Sequence, residues 1–197
     1  GNGSYNSYVG YDSGFSGTTG SYNSGLGMCS LRGITTGSHN VGIGTCALAI
    51  TSTGAHNVAF GYQAFLRVST SQLNLGMGYQ AGQNVTSGAC NIAIGRNTLN
   101  SVTTGSYNIA LGQYAGCGLQ ANHSGAIAIG CQAMQGAHYS AATAAMQNIA
   151  IGNQAISSNY CGINNIAVGY RSLYSNYCGN YNVGMGYEAL RQTSCGQ

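Results

Sequence analysis

The 197 residues include 33 Gly and 15 Tyr but no Pro or Trp, and the only formal charges are five Arg against Asp12 and Glu188. A net charge of +3 on so few groups makes no basic patch, which excludes nucleic-acid binding through many phosphate contacts, and two carboxylates near opposite ends leave paired acid–base catalysis without machinery. No apolar run is long enough to cross a membrane and the start lacks a signal peptide's regions, while eight Cys leave the compartment open, since so long and repetitive a chain needs no staples.

Low charge with abundant Gly and Asn would suit a disordered tract, but the periodicity argues against one. The pattern Asn, apolar, small, apolar, Gly is clearest at Asn40 to Gly44, Asn57 to Gly61, Asn74 to Gly78, Asn91 to Gly95 and Asn108 to Gly112. Its closing glycines fall at Gly10, Gly27, Gly44, Gly61, Gly78, Gly95 and Gly112, seventeen residues apart, and continue at Gly130, Gly152, Gly169 and Gly186. The slippage is confined to about residues 113–151. Repeats of this kind come before any local motif, because one copy cannot bury its apolar face alone.

Within a copy, large apolar residues flank a small one, as in Ile92, Ala93 and Ile94. Period two puts the large pair on one face of a short strand and the small residue on the other. A second apolar element follows, as in Ala47 and Leu48 or Ala64 and Phe65, and is expected to be a second brief strand. Pairs such as Thr36 and Gly37 or Thr104 and Gly105 mark a tight corner, where glycine supplies conformations other residues enter at a cost. Helical spacing is absent except for an ambiguous patch at Ala141 to Met146. The expectation is all-β: one repetitive domain over 1–197, a parallel β-solenoid or β-roll of about eleven 17-residue coils. At about 4.8 Å per coil it makes a rod roughly 50 Å long.

Stacking aligns equivalent residues. The Asn column, including Asn40, Asn57, Asn74, Asn91, Asn108, Asn165 and Asn182, is expected to form a structural ladder whose carboxamides bond coil to coil. The small column, Gly42, Ala59, Gly76, Ala93 and onward, implies close approach by another backbone, either the far wall of the coil or a neighbouring chain. Seventeen residues enclose a thin core, hard to stabilise alone. Cyclic association around the long axis would add a shared apolar interior, and a parallel homotrimer is the expected form, although periodicity does not set the number three.

The pattern resembles the head repeats of trimeric autotransporter adhesins and related phage tail-fibre proteins. The resemblance is carried by Ala126 to Gly130 with the following Ala133 to Ala137, and by the Tyr-Asn-x-Ala-x-Gly cadence at Tyr107 to Gly112 and Asn182 to Leu190. It spans essentially the whole chain and implies left-handed β-rolls assembled as trimers, with attachment to matrix or a host receptor and no catalytic residues. Departures are the regular spacing, the many Cys and the lack of a coiled-coil stalk.

Cys29 and Cys46 share one phase, and Cys161, Cys178 and Cys195 another. Reduced packing columns, disulfides between coils or chains, and metal binding all fit that spacing. His39 and His56 stand where other copies have Tyr5, Tyr22 and Tyr107, which reads as an exposed aromatic column rather than a metal site. Tyr62, Tyr79, Tyr170 and Tyr187 each follow a closing glycine. Their rings either cover the glycine-rich backbone or recognise a sugar or protein surface. Calcium repeats lack their acids here, and the Gly-x-Gly occurrences lack the context of a phosphate loop.

These readings converge on a structural fibre or adhesin segment, extracellular on a cell surface or virion fibre, with no enzyme activity, cofactor, metal or membrane insertion. Expected partners are two further copies, end-to-end fibre contacts and a host receptor or surface glycan. The alternative is a purely architectural module of a longer filament with no receptor binding of its own.

Overall fold

A computed structural model describes residues 3–136, 147–159 and 161–193. Among these it has eleven three-residue strands in one parallel sheet: β1 (Ser7–Val9), β2 (Ser24–Leu26), β3 (Val41–Ile43), β4 (Val58–Phe60), β5 (Leu75–Met77), β6 (Ile92–Ile94), β7 (Ile109–Leu111), β8 (Ile127–Ile129), β9 (Ile149–Ile151), β11 (Ile166–Val168) and β13 (Val183–Met185). Each pairs in register with its equivalent one coil away, Val41 with Val58 and Ile92 with Ile109. The architecture is therefore the all-β parallel solenoid that the repeat implies. The ladder also crosses the irregular region, where Ile127 pairs with Ile149. The patch Ala141 to Met146 lies outside the described residues.

The second apolar element is not a strand. Ala47, Leu48 and their equivalents lie in turns, and the buried residue at the Leu48 phase holds a positive φ: Leu31 50°, Leu48 51°, Phe65 45°, Leu99 49°. A strand needs φ near −120°, so this wall cannot extend. It still bonds coil to coil, with Leu48 N donating to Ala64 O at 3.1 Å and Phe65 N to Ala81 O at 2.8 Å. Only the last coils form a second sheet, from β10 (Ser158–Asn159), β12 (Ser175–Asn176) and β14 (Gln192–Thr193).

The core lies inside the coil, and the strands turn their small residue toward it. Ala59, Ala93, Ala110, Ala128, Ala150 and Ala167 are fully buried. They face the turn wall's Leu31, Leu48, Phe65, Leu99 and Leu173, joined by Ile34, Val68, Val85 and Val102 from the next corner. The far wall is thus what limits the small column: a Cβ on Gly42 would meet Ala47 O and Leu31 Cγ, both at 3.2 Å. The large strand residues point the other way. Val41, Ile43, Ile92 and Ile94 are half-buried, while Leu26, Met77 and Met185 are exposed.

Neighbouring coils compensate one another's volumes. The fully buried Phe65 ring reaches into the next coil, where Gly76 and Gly82 leave room for it: Cβ atoms there would run into its Cδ2 and Cε1. Gly82 has φ +60°, which Leu48 and Leu99 adopt at the equivalent place, so space decides this glycine more than backbone freedom. Alanine at Gly82 is expected to lower the unfolding free energy by about 3 kcal/mol, roughly 1 of it backbone strain and the rest overpacking. In a Phe65→Leu background the loss should shrink to about 1 kcal/mol. Additive losses in urea unfolding would show that ring and glycine are not coupled.

Candidate functional site

The corners and outward positions of the coil carry the expected columns and a further file of hydroxyls. The Asn column occupies the corner before each strand. Asn91 is fully buried. Its Nδ2 donates to Asn74 Oδ1 at 3.2 Å and to Gly105 O at 2.9 Å, and its Oδ1 accepts from Asn108 N and Nδ2, both at 3.0 Å. The same bonding runs through Asn40, Asn57 and Asn74, and Asn182 N and Nδ2 reach Asn165 Oδ1 at 2.9 and 3.1 Å. Ala126 interrupts the ladder, although its own N–H still donates to Asn108 Oδ1 at 3.0 Å.

The residue just before each ladder Asn holds a positive φ, near +60° except at Gln147 (36°), and in the file below its side chain faces outward. Tyr5, Tyr22, His39 and His56 therefore stack in one exposed file, with centroids 5.0, 4.9 and 4.8 Å apart. Thr18, Thr35, Ser52, Ser69 and Thr86 form another file. Each hydroxyl donates to the carbonyl one coil on, so this hydroxyl column holds the rod together.

Tyr62 stacks on Tyr79 at 5.2 Å, and Tyr170 on Tyr187 at 5.3 Å. Each pair covers one face of each ring and leaves edges and hydroxyls outward, with 43% and 47% of Tyr62 and Tyr79 exposed. Arginine adds to both pairs. The Arg96 guanidinium lies 5.7 Å from the Tyr79 ring and 5.9 Å from that of Tyr114, and Arg171 lies 5.1 Å from Tyr170 and 5.4 Å from Tyr174. Tyrosine phase alone did not reveal these arginines. Arg67 and Arg96 are the arginines without an acid beside them, and of the two only Arg96 has rings around it among the described residues.

The structure separates the cysteines. Cys161 and Cys178 are disulfide-bonded across adjacent coils, Cα atoms 4.8 Å apart, whereas Cys29 and Cys46 are free; Cys195 lies outside the described residues. Burial, and then the adjoining Cys29 thiol, pushes the Cys46 thiol above its usual range. A raised thiol pKa leaves less thiolate at Cys46 and slows its reaction. Among the described residues no group of three or more His, Cys, Asp or Glu could hold a metal ion. His123, in the irregular region, is fully buried and accepts from Gln120 N through Nδ1 at 2.6 Å, so it belongs to the corner.

Beside these columns runs the outward face of the strands. Its two ladders of Val, Leu, Ile, Phe and Met span the coils, apart from Ser7 and Ser24 at the start of one. Near that end a shallow concavity of about 200 Å³ is lined by Ser7, Val9, Ser24, Gly25, Leu26 and Ile43. No helix among the described residues is long and apolar enough to cross a membrane. Comparison with family models, with curated proteins and with solved structures finds no match to this chain.

Proposed function

We propose that this chain is a structural fibre segment that assembles as a parallel homotrimer through the outward apolar face of its sheet, leaving the tyrosine columns free for attachment to a surface. The observation that carries this reading is the direction of the strand side chains. Each coil turns two large apolar residues away from its own core, giving a ribbon roughly 50 Å long and on the order of 500 Å² in area. Isolated exposed apolar residues need no explanation, but a contiguous patch of this size marks a contact surface. Only two side chains wide, the ribbon would be enclosed by three copies arranged around one axis in a symmetric interior. A single file of coils, whose own interior is thin, also gains a second apolar interior from the association.

Sedimentation equilibrium in mild buffer is expected to give three times the chain mass. Ile94→Glu puts a charge on the ribbon and leaves the coil interior untouched. It should yield monomer with an unchanged far-ultraviolet spectrum, because burying three unpaired carboxylates around one axis costs several kcal/mol each. A wild-type monomer at tens of micromolar would end the assembly reading, and a dimer would end the threefold closure.

A further inference from the structure

Among the described residues three guanidinium groups lie over aromatic rings: Arg32 over Phe15, Arg96 over Tyr79 and Tyr114, and Arg171 over Tyr170 and Tyr174. Two of the three hold a carboxylate. Arg32 Nε lies 3.4 Å from Asp12, and Arg171 lies 3.9 Å from Glu188 while its Nε donates to Gln154 Oε1 at 2.7 Å. Glu188 also pairs with Arg191 at 3.5 Å. Asp12 and Glu188 are the only acids in the sequence, so Arg96 has no counter-charge in its own chain. A second copy brings only the same two, already engaged.

Arg96 is exposed, and the neighbouring coils place Tyr79 and Gln113 at the equivalent position, both also exposed. Contact with two rings restrains the guanidinium while the residue stays exposed, which lowers the ordering a ligand must impose. The fold itself shows that such a frame accepts oxygen ligands: the ring-held Arg171 donates to the Gln154 carboxamide at 2.7 Å and has the Glu188 carboxylate 3.9 Å away. Guanidinium and carboxylate match in planar, paired hydrogen bonds.

We propose that Arg96, framed by Tyr79 and Tyr114, is a subsite for the carboxylate of an acidic glycan, a sialic- or uronic-acid sugar. The proposal rests on the attachment reading above and names its ligand class. A sugar fits the surroundings better than a peptide does. One unmatched cation calls for one carboxylate, and the flanking groups are phenol edges and the Gln113 carboxamide, suited to ring hydroxyls and apolar sugar faces. The Tyr62 and Tyr79 rings already cover one another, so the sugar lies along their outer edges and not between them. Arg67, the other arginine without an acid, has no ring over it among the described residues and serves as the control.

The test is binding of the full chain to sialyllactose and to a glucuronate oligosaccharide, each beside its methyl ester, by calorimetry or a surface-bound assay. At least one free acid is expected to bind roughly ten- to a hundredfold tighter than its ester, the span of a charge-assisted pair. Arg96→Gln should remove that difference and Arg67→Gln should keep it. Glutamine is already tolerated at this phase as Gln113, so the variant is expected to keep its spectrum and sedimentation. No discrimination between acid and ester, an effect of Arg67→Gln equal to that of Arg96→Gln, or equal binding of sulfated lactose or of an acidic peptide would overturn the subsite. A monomeric wild-type rod would instead count against the fibre reading, so the two failures are distinguishable.

Discussion

Alanine at Gly61 is expected to lower the unfolding free energy by about 4 kcal/mol or more. Gly61 holds φ +130°, and all eleven closing glycines lie between 122° and 135°. L-residues essentially never enter that region, and strain of this kind costs up to about 3 kcal/mol. Space is also missing, since a Cβ on Gly61 would stand 2.5 Å from Gly78 O. To relieve the contact, two coils must move apart and lengthen the ladder bonds between them. In a stack where each coil touches only its neighbours, such a fault divides the cooperative unit. Hydrogen exchange is therefore expected to speed up most in the coils flanking residue 61. The counterpart is Gln63→Gly at φ +53°, a conformation that many residue types adopt at this phase. It is expected to change stability by no more than about 1 kcal/mol. Equal losses at the two positions in urea unfolding would show that neither the dihedral nor the close approach keeps the column glycine.

Asn91→Ala is expected to destabilise the rod by about 4 kcal/mol. The truncation strips the Gly105 carbonyl of its side-chain donor and the Asn108 N–H of its acceptor, both inside the coil. Each buried polar group left without a partner costs about 1–3 kcal/mol, and the small cavity adds to that. Asn6, half-buried near one end, should cost about 1 kcal/mol on the same change, because water can replace what its side chain gave up. Thermal unfolding of both variants checks the contrast. Equal shifts would mean that burial of the ladder is not what gives it its strength.

Much of this was readable from spacing because the physical constraints repeat. The closing glycine recurs because its dihedral is closed to other residues, and the Asn recurs because each carboxamide bonds to the one before and after it. The second wall was misread as strand. Alternation and apolarity there are compatible with extension, but Leu48 and Phe65 adopt positive φ with ordinary side chains, and nothing in the residue types announces it. The corner glycines were assigned to conformational freedom. Gly37 and its equivalents have no positive φ; a Cβ on Gly37 would meet the Gly54 carbonyl of the next coil. Close approach between coils is a property of the stack, so a single copy does not display it.

The candidate site divides in the same way. Tyr62, Tyr79, Tyr170 and Tyr187 were legible because they share a phase, and equal phase in a solenoid means neighbouring coils. Arg96 and Tyr114 differ by one position in phase, and only the corner's geometry brings them together. Cys161 and Cys178 were legible as neighbours, and so were Cys29 and Cys46, but equal spacing does not tell the bonded pair from the free one.

The sequence by itself determined the period, the coil count, the Asn ladder and the parallel register, because each follows from residues that must meet their own equivalents seventeen positions on. Only the tertiary structure decided which face of each strand is the inside. In the first coil, where Gly14 holds the wall position, Tyr8 points in; from β2 onward each strand turns Gly or Ala inward, because the turn wall already fills the coil with large side chains such as Leu and Phe, and its large apolar residues face out. That reversal makes the apolar ribbon a surface and leaves Arg96, framed by two tyrosines, without an acid of its own.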